Sequence, residues 1–144
     1  MKLLGSIGLV ALLVAFGTTT VHAQSLKIKQ REEAQDIELA KDALETKASC
    51  GIDIPIKFNW KDAPEEEIQA NSPEGLCDEA LHAVRRVCED PTGKGAVKEK
   101  VKSISCGFGP ERAMNFKDGA LDYTIDFKSS NDADFAYEFL QNHL

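Results

Sequence analysis

The residues of this 144-residue chain best suited to chemistry are four cysteines, Cys50, Cys77, Cys88 and Cys106. The gaps between them are 27, 11 and 18 positions. Zinc sites use Cys-x-x-Cys or Cys/His pairs at short spacing, and redox pairs use Cys-x-x-Cys; neither pattern is present. An even number of cysteines without those spacings predicts two structural disulfides and no metal.

The other reactive side chains read as structural. His82 has Asp78 four residues before it and Arg86 four after, the spacing of an ion-paired helix face. His143 falls at the end of the last predicted helix, where the dipole favours a cation. Glu65, Glu66 and Glu67 are consecutive, so their carboxylates diverge instead of converging on a cation. Phe58 and Trp60 end a strand and are expected in the core rather than on a ligand rim. Asp122, Thr124 and Asp126 alternate with Leu121, Tyr123, Ile125 and Phe127. They are expected on the outer face of the last strand, as a candidate partner face. No Gly-x-Ser-x-Gly or His-Glu-x-x-His occurs, and Gly93-x-Gly95 lacks the third glycine of a phosphate loop. No catalytic residue and no cofactor is assigned.

Hydrophobic periodicity supplies the elements that position these groups. Ser25 to Ser49 predicts a helix with Ile37, Ala40, Leu44 and Ala48 on its buried stripe. Ile52, Ile54, Ile56, Phe58 and Trp60 alternate as a strand, and Pro55 marks it as an edge or a bulge. Lys61 to Asn71 reads as a connection with a helical turn begun by Pro64. Ser72 and Pro73 open a helix running to about Glu89, with Leu76, Ala80, Ala83 and Val87 beside Cys77, Leu81, Val84 and Cys88. Thr92 to Gly95 reads as a turn before a short helix at Ala96–Lys100. A strand at Val101–Phe108 precedes a hairpin, Arg112–Lys117 and Ala120–Lys128. Asp118-Gly119 is a two-residue type I′ signal that sets Phe116 opposite Leu121 and Met114 opposite Tyr123. Asn131 or a nearby serine opens a last helix, Asp132 to about His143. The predicted fold class is α+β: a mainly antiparallel sheet of about four strands, helices packed on one face, and two disulfides.

Helix geometry restricts the disulfides. Eleven residues along one unbroken helix separate two Cα atoms by roughly 16 Å at about 1.5 Å per residue. A disulfide tolerates at most about 7 Å. Cys77 therefore cannot reach Cys88, and each must bond outward. A strand leading away from Cys50, a helix returning and a second strand leading away again favour Cys50–Cys88 with Cys77–Cys106. Cys50–Cys77 with Cys88–Cys106 is the alternative.

Composition locates the chain. Lys2, the apolar Leu3–Phe16 stretch and Val21-x-Ala23 have the anatomy of a signal peptide over residues 1–23, leaving a single domain over 24–144. That apolar stretch is shorter than the roughly 20 residues of a membrane span, which favours a cleaved signal peptide, with no membrane insertion afterwards, over the alternative of a retained signal anchor. Seventeen basic against 24 acidic residues argue against a nucleic-acid partner. A secreted or periplasmic location is expected; the sequence does not set an oligomeric state.

From Cys50-Gly51 onward, the spacing of Ser72-Pro73, Cys77, Leu81, Cys88 and Cys106, then Lys117-Asp-Gly119 and Asn131, resembles small exported bacterial proteins of unknown function. The resemblance implies export and brings no activity. The expectation is a non-enzymatic exported domain that binds a protein or a small ligand. Alternatives are an inhibitor of a basic secreted hydrolase, steered by charge, a structural component of an envelope assembly, and an enzyme with an atypical carboxylate site.

Overall fold

Cys50 sets the orientation of the first helix. In the computed structural model, which describes residues 19–144, α1 runs Thr19–Cys50 and ends in a disulfide to Cys88. The predicted leader, residues 1–23, lies outside the described residues except for its last five, which belong to α1. With Cys50 facing inward, a 3.6-residue period turns Thr46, Ala43, Leu39, Gln35 and Ile28 inward as well. All of these are buried or half-buried. Ile37 is 13 residues from Cys50 and falls on the opposite side. The expected stripe of Ile37, Ala40, Leu44 and Ala48 is therefore exposed, Ile37 at 59% and Leu44 at 64%. The helix carries two apolar stripes, and the disulfide decides which one packs.

The chain continues through β1 (Ile56–Asn59), a 3-10 turn (Trp60–Asp62), α2 (Glu65–Ala70), α3 (Pro73–Val87) and α4 (Pro91–Lys100). It ends with β2 (Ser103–Phe108), β3 (Ala113–Lys117), β4 (Ala120–Ile125) and α5 (Asp132–His143). Pro73 stands at the first position of α3, although the Ser72 side chain makes no capping bond. The expected turn at Thr92–Gly95 is instead the start of α4, because Pro91 fits its first turn and the Asp90 carboxylate accepts the Gly93 N–H. Gly93 also lets α4 approach α3, since a Cβ there would lie 2.3 Å from the Val87 carbonyl oxygen.

The four strands are ordered β1-β2-β4-β3. β1 with β2 and β2 with β4 are parallel, and β3 with β4 is antiparallel. The sheet is thus mixed, not mainly antiparallel. The reason is connection length: α2, α3 and α4 carry the chain back between β1 and β2, giving a parallel pair. After β2 the chain returns along the far edge as β3, and β4 fits between them, parallel to β2. The Asp118-Gly119 turn holds the one antiparallel pair, with both residues at positive φ (54° and 91°). Its register sets Phe116 opposite Leu121, Met114 opposite Tyr123 and Asn115 opposite Asp122.

Residues on one face of the sheet, among them Phe58, Ile104, Cys106, Leu121, Tyr123 and Ile125, are buried. They meet the apolar side of α3, where Cys77, Ala80, Leu81, Ala83 and Val84 are fully buried. Burying a Leu, Val or Ile side chain contributes about 1.5–3 kcal/mol. Cys77 bonds Cys106, so α3 is clasped to α1 near one end and to β2 near the other. Among the described residues no helix is long and apolar enough to cross a membrane. The two disulfides fit an oxidising compartment.

Candidate functional site: the open face of the sheet

Among the described residues no helix packs on the sheet's other face, whose outward positions are all exposed or half-exposed. Strand alternation turns Lys57 and Asn59 of β1, Ser103, Ser105 and Gly107 of β2, Asp122 and Thr124 of β4, and Ala113, Asn115 and Lys117 of β3 outward. All ten are exposed or half-exposed. Register aligns them in rows across the strands. One row reads Lys57, Ser105, Asp122, Asn115, and the next reads Asn59, Gly107, Thr124, Ala113.

The first row holds one polar contact. The Ser105 hydroxyl donates to the Asp122 carboxylate. A shallow hollow of about 390 Å³ opens beside this pair, lined by Pro55, Lys57, Ser103, Ser105, Ala120 and Asp122. The row supplies an ammonium donor, a hydroxyl that donates and accepts, a carboxylate acceptor and an amide. Such a surface can hydrogen-bond a polar ligand or the backbone of a partner.

Asp122 and Thr124 therefore share this face, but Asp126 does not. β4 stops at Ile125, short of the expected Lys128. Asp126 turns back on its own loop, accepting the N–H groups of Lys128 (3.0 Å) and Ser129 (2.8 Å) and the Ser129 hydroxyl (3.0 Å). The Ser129 N–H chiefly holds its carboxyl below the usual range. This Asx-type turn ends the strand, after which Phe127 adopts φ 56°. Lys57, Ser105 and Asn115 were not among the sequence candidates. Their signal lay in the alternation that marked the inward residues, since every second position on those strands must face the other way.

The histidines lie elsewhere. His82 is exposed, 3.9 Å from Glu79, and its expected neighbours are engaged by others. Asp78 binds Arg85 at 3.2 Å, and Arg86 reaches Asp134 at 2.8 Å. Arg85 also donates to Thr46 and to the Asp42 carbonyl, tying α3 to α1. Burial, and then the Asp78 charge, push the Asp42 carboxyl up. His143 stacks on Phe139 at 3.9 Å. Glu65, Glu66 and Glu67 form the first turn of α2, and Glu67 accepts the Asn71 amide. Phe58 is buried, while the Trp60 indole N–H donates to Asp36 at 3.0 Å, joining the end of β1 to α1. Among the described residues no three His, Cys, Asp or Glu side chains are grouped to hold a metal ion.

A second surface feature is apolar. Leu26, Ile37 and Leu44 are the large hydrophobic side chains most exposed among the described residues, at 58%, 59% and 64%. All three are on α1. Their spacings of 11 and 7 residues place them in one line, and Leu26 to Leu44 spans five helical turns, about 27 Å.

No family model, no curated protein and no solved structure matches this chain.

Proposed function

We propose that this protein is an exported, non-enzymatic recognition domain that binds a protein or small polar ligand on the open face of its sheet, around Ser105 and Asp122. The observation carrying this reading is that, among the described residues, no helix covers one face of the sheet's three parallel strands. Parallel strands are normally packed on both faces. Here β1, β2 and β4 are parallel, yet one face offers a polar row to solvent. Export is supported by the leader pattern of residues 1–23 and by the two cystines. Immobilised wild-type protein and the Asp122→Lys and Ser105→Tyr variants, each checked for native circular dichroism, would be exposed to periplasmic extract and to conditioned medium. A partner retained by the wild type and by a Glu138→Lys control on α5, but lost by both face variants, is the expected result. Equal retention by all four proteins overturns the reading.

A second reading, a structural component of an envelope assembly, is favoured by the line of Leu26, Ile37 and Leu44 on α1. It predicts that Ile37→Glu and Leu44→Glu release the protein from envelope fractions while Asp122→Lys does not. Unchanged fractionation of the α1 variants sinks it.

A further inference from the structure

The two edges of the sheet differ in how they are protected. β1 is four residues long, follows Pro55, runs into the 3-10 turn and packs beside α1. β3 is five residues long, contains no proline and pairs with β4 at every residue without a bulge. An unblunted edge of this kind is a template for another strand.

The hairpin shows which backbone groups β3 offers. A two-residue turn makes Lys117 and Ala120 a hydrogen-bonded pair, so Asn115 with Asp122 and Ala113 with Thr124 are bonded pairs too. Met114 and Phe116 occupy the alternate positions. Their N–H and C=O groups point away from β4, toward the free edge. Their side chains lie on the inner face and are half-buried, packed against the core on one side only.

We propose that β3 is a dimerisation edge: two copies pair through antiparallel β3 strands about a two-fold axis at Asn115, joining their sheets into one. This register overlaps β3 along its whole length. It sets Met114 opposite the partner's Phe116 and Phe116 opposite the partner's Met114. Both pairs have outward backbone groups, so four interchain hydrogen bonds form, and each apolar pair continues the inner face across the axis. The charges agree as well. Lys117, at the end of the strand, and Glu111, in the bend two residues before its start, are exposed, and neither forms an ion pair within the chain among the described residues. Antiparallel pairing sets each strand's start, which Glu111 precedes by two residues, against the partner's Lys117, so opposite charges meet at both ends. The Glu111–Asp118 segment is neutral as a whole, with two acidic and two basic residues, so this edge escapes the repulsion expected between copies of a chain of net charge −7. Pairing leaves the open face uncovered and doubles its width.

Sedimentation velocity of the purified protein over a concentration series tests this. A reversible monomer–dimer equilibrium is expected. Lys117→Glu brings acid against acid at both ends and weakens the dimer about tenfold or more, as two like-charge contacts each costing up to about 1 kcal/mol require. The exchanged pair Glu111→Lys with Lys117→Glu restores it to near the wild-type value. Both substituted side chains are exposed, and circular dichroism confirms the fold. A wild type that stays monomeric at millimolar concentration overturns the proposal. So does a dimer that Lys117→Glu leaves intact, including one that Leu44→Glu on α1 abolishes instead.

Discussion

Cys77 and Cys88 stand at opposite ends of the buried side of α3 and never approach each other; one bonds Cys106 on β2 and the other bonds Cys50 at the end of α1. The central helix is thus cross-linked to the sheet at its start and to α1 at its finish. The loops closed are 38 and 29 residues by sequence separation.

Each cystine should contribute about 3–4 kcal/mol by restricting the unfolded chain. Cys50→Ala with Cys88→Ala, and separately Cys77→Ala with Cys106→Ala, are expected to lower the urea midpoint by amounts consistent with that loss. Full reduction should come close to unfolding a domain whose total stability is about 5–15 kcal/mol. An unchanged melting temperature in dithiothreitol contradicts this.

The two faces of α1 should respond differently to substitution. Leu39 is 2% exposed, and Leu39→Ala should cost about 2–5 kcal/mol through lost burial and a cavity. Ile37→Ala and Leu44→Ala should stay within about 0.5 kcal/mol of the wild type in the same denaturant titration. Large losses at Ile37 and Leu44 with little at Leu39 would show that α1 packs on the other side.

Tyr123 and Asp132 form the buried polar pair that joins β4 to α5. The phenol donates to the Asp132 carboxylate, which also lies 3.5 Å from Arg112. Tyr123→Phe removes the hydrogen bond and should cost about 1–3 kcal/mol, since Asp132 is left buried with a weaker partner set. Burial first, and then the Asp132 hydrogen bond, push the Tyr123 phenol well above its ordinary range. A folded pKa raised above the unfolded value near 10 gives a contribution that is complete below pH 10 and declines above it. Spectrophotometric titration should therefore show Tyr123 ionising only as the protein unfolds in base. A reversible phenolate signal from Tyr123 at about pH 10 in folded protein is the contrary outcome.

Asp126 works in the opposite direction. Its carboxyl is held low, chiefly by the Ser129 N–H, so its contribution is present above the unfolded carboxylate pKa of about 3.9 and disappears as pH falls through the folded value. Asp126→Ala should destabilise the protein at pH 7 by less than about 1 kcal/mol, since solvent screens this open carboxylate, and by a smaller amount in strong acid. Melting curves at neutral pH and below pH 3 check the sign. An equal difference at both would refute it.

Gly93→Ala should be costly although its φ is ordinary. The added methyl would meet the Val87 carbonyl oxygen, which is backbone and cannot rotate away. Loss of about 1–3 kcal/mol is expected. Gly95→Ala, with nothing within 4 Å of its new Cβ, should instead be neutral or stabilising. The pair of variants compared by thermal denaturation gives the test.

Local chemistry alone determined much of this protein. Asp118-Gly119 set the hairpin and its register, because a two-residue turn permits only one alternation of faces. Helical rise forbade a Cys77–Cys88 bond. The outward path of β1, the return of α3 and the outward path of β2 favoured Cys50–Cys88 with Cys77–Cys106 over the other allowed pairing, and the tertiary structure forms those two bonds. That same path already implied a parallel β1–β2 pair, at odds with the antiparallel sheet expected from the strand patterns. Alternation identifies the two faces of a strand but carries no information about its neighbour's direction, which long-range connection decides. Rotation of α1 was likewise undetermined by periodicity, since that helix has two apolar stripes; the Cys50 bond selects between them. The open face, finally, belongs to tertiary structure. Lys57, Ser105, Asp122 and Asn115 are dispersed over 66 positions of sequence, and only strand order brings them into one row.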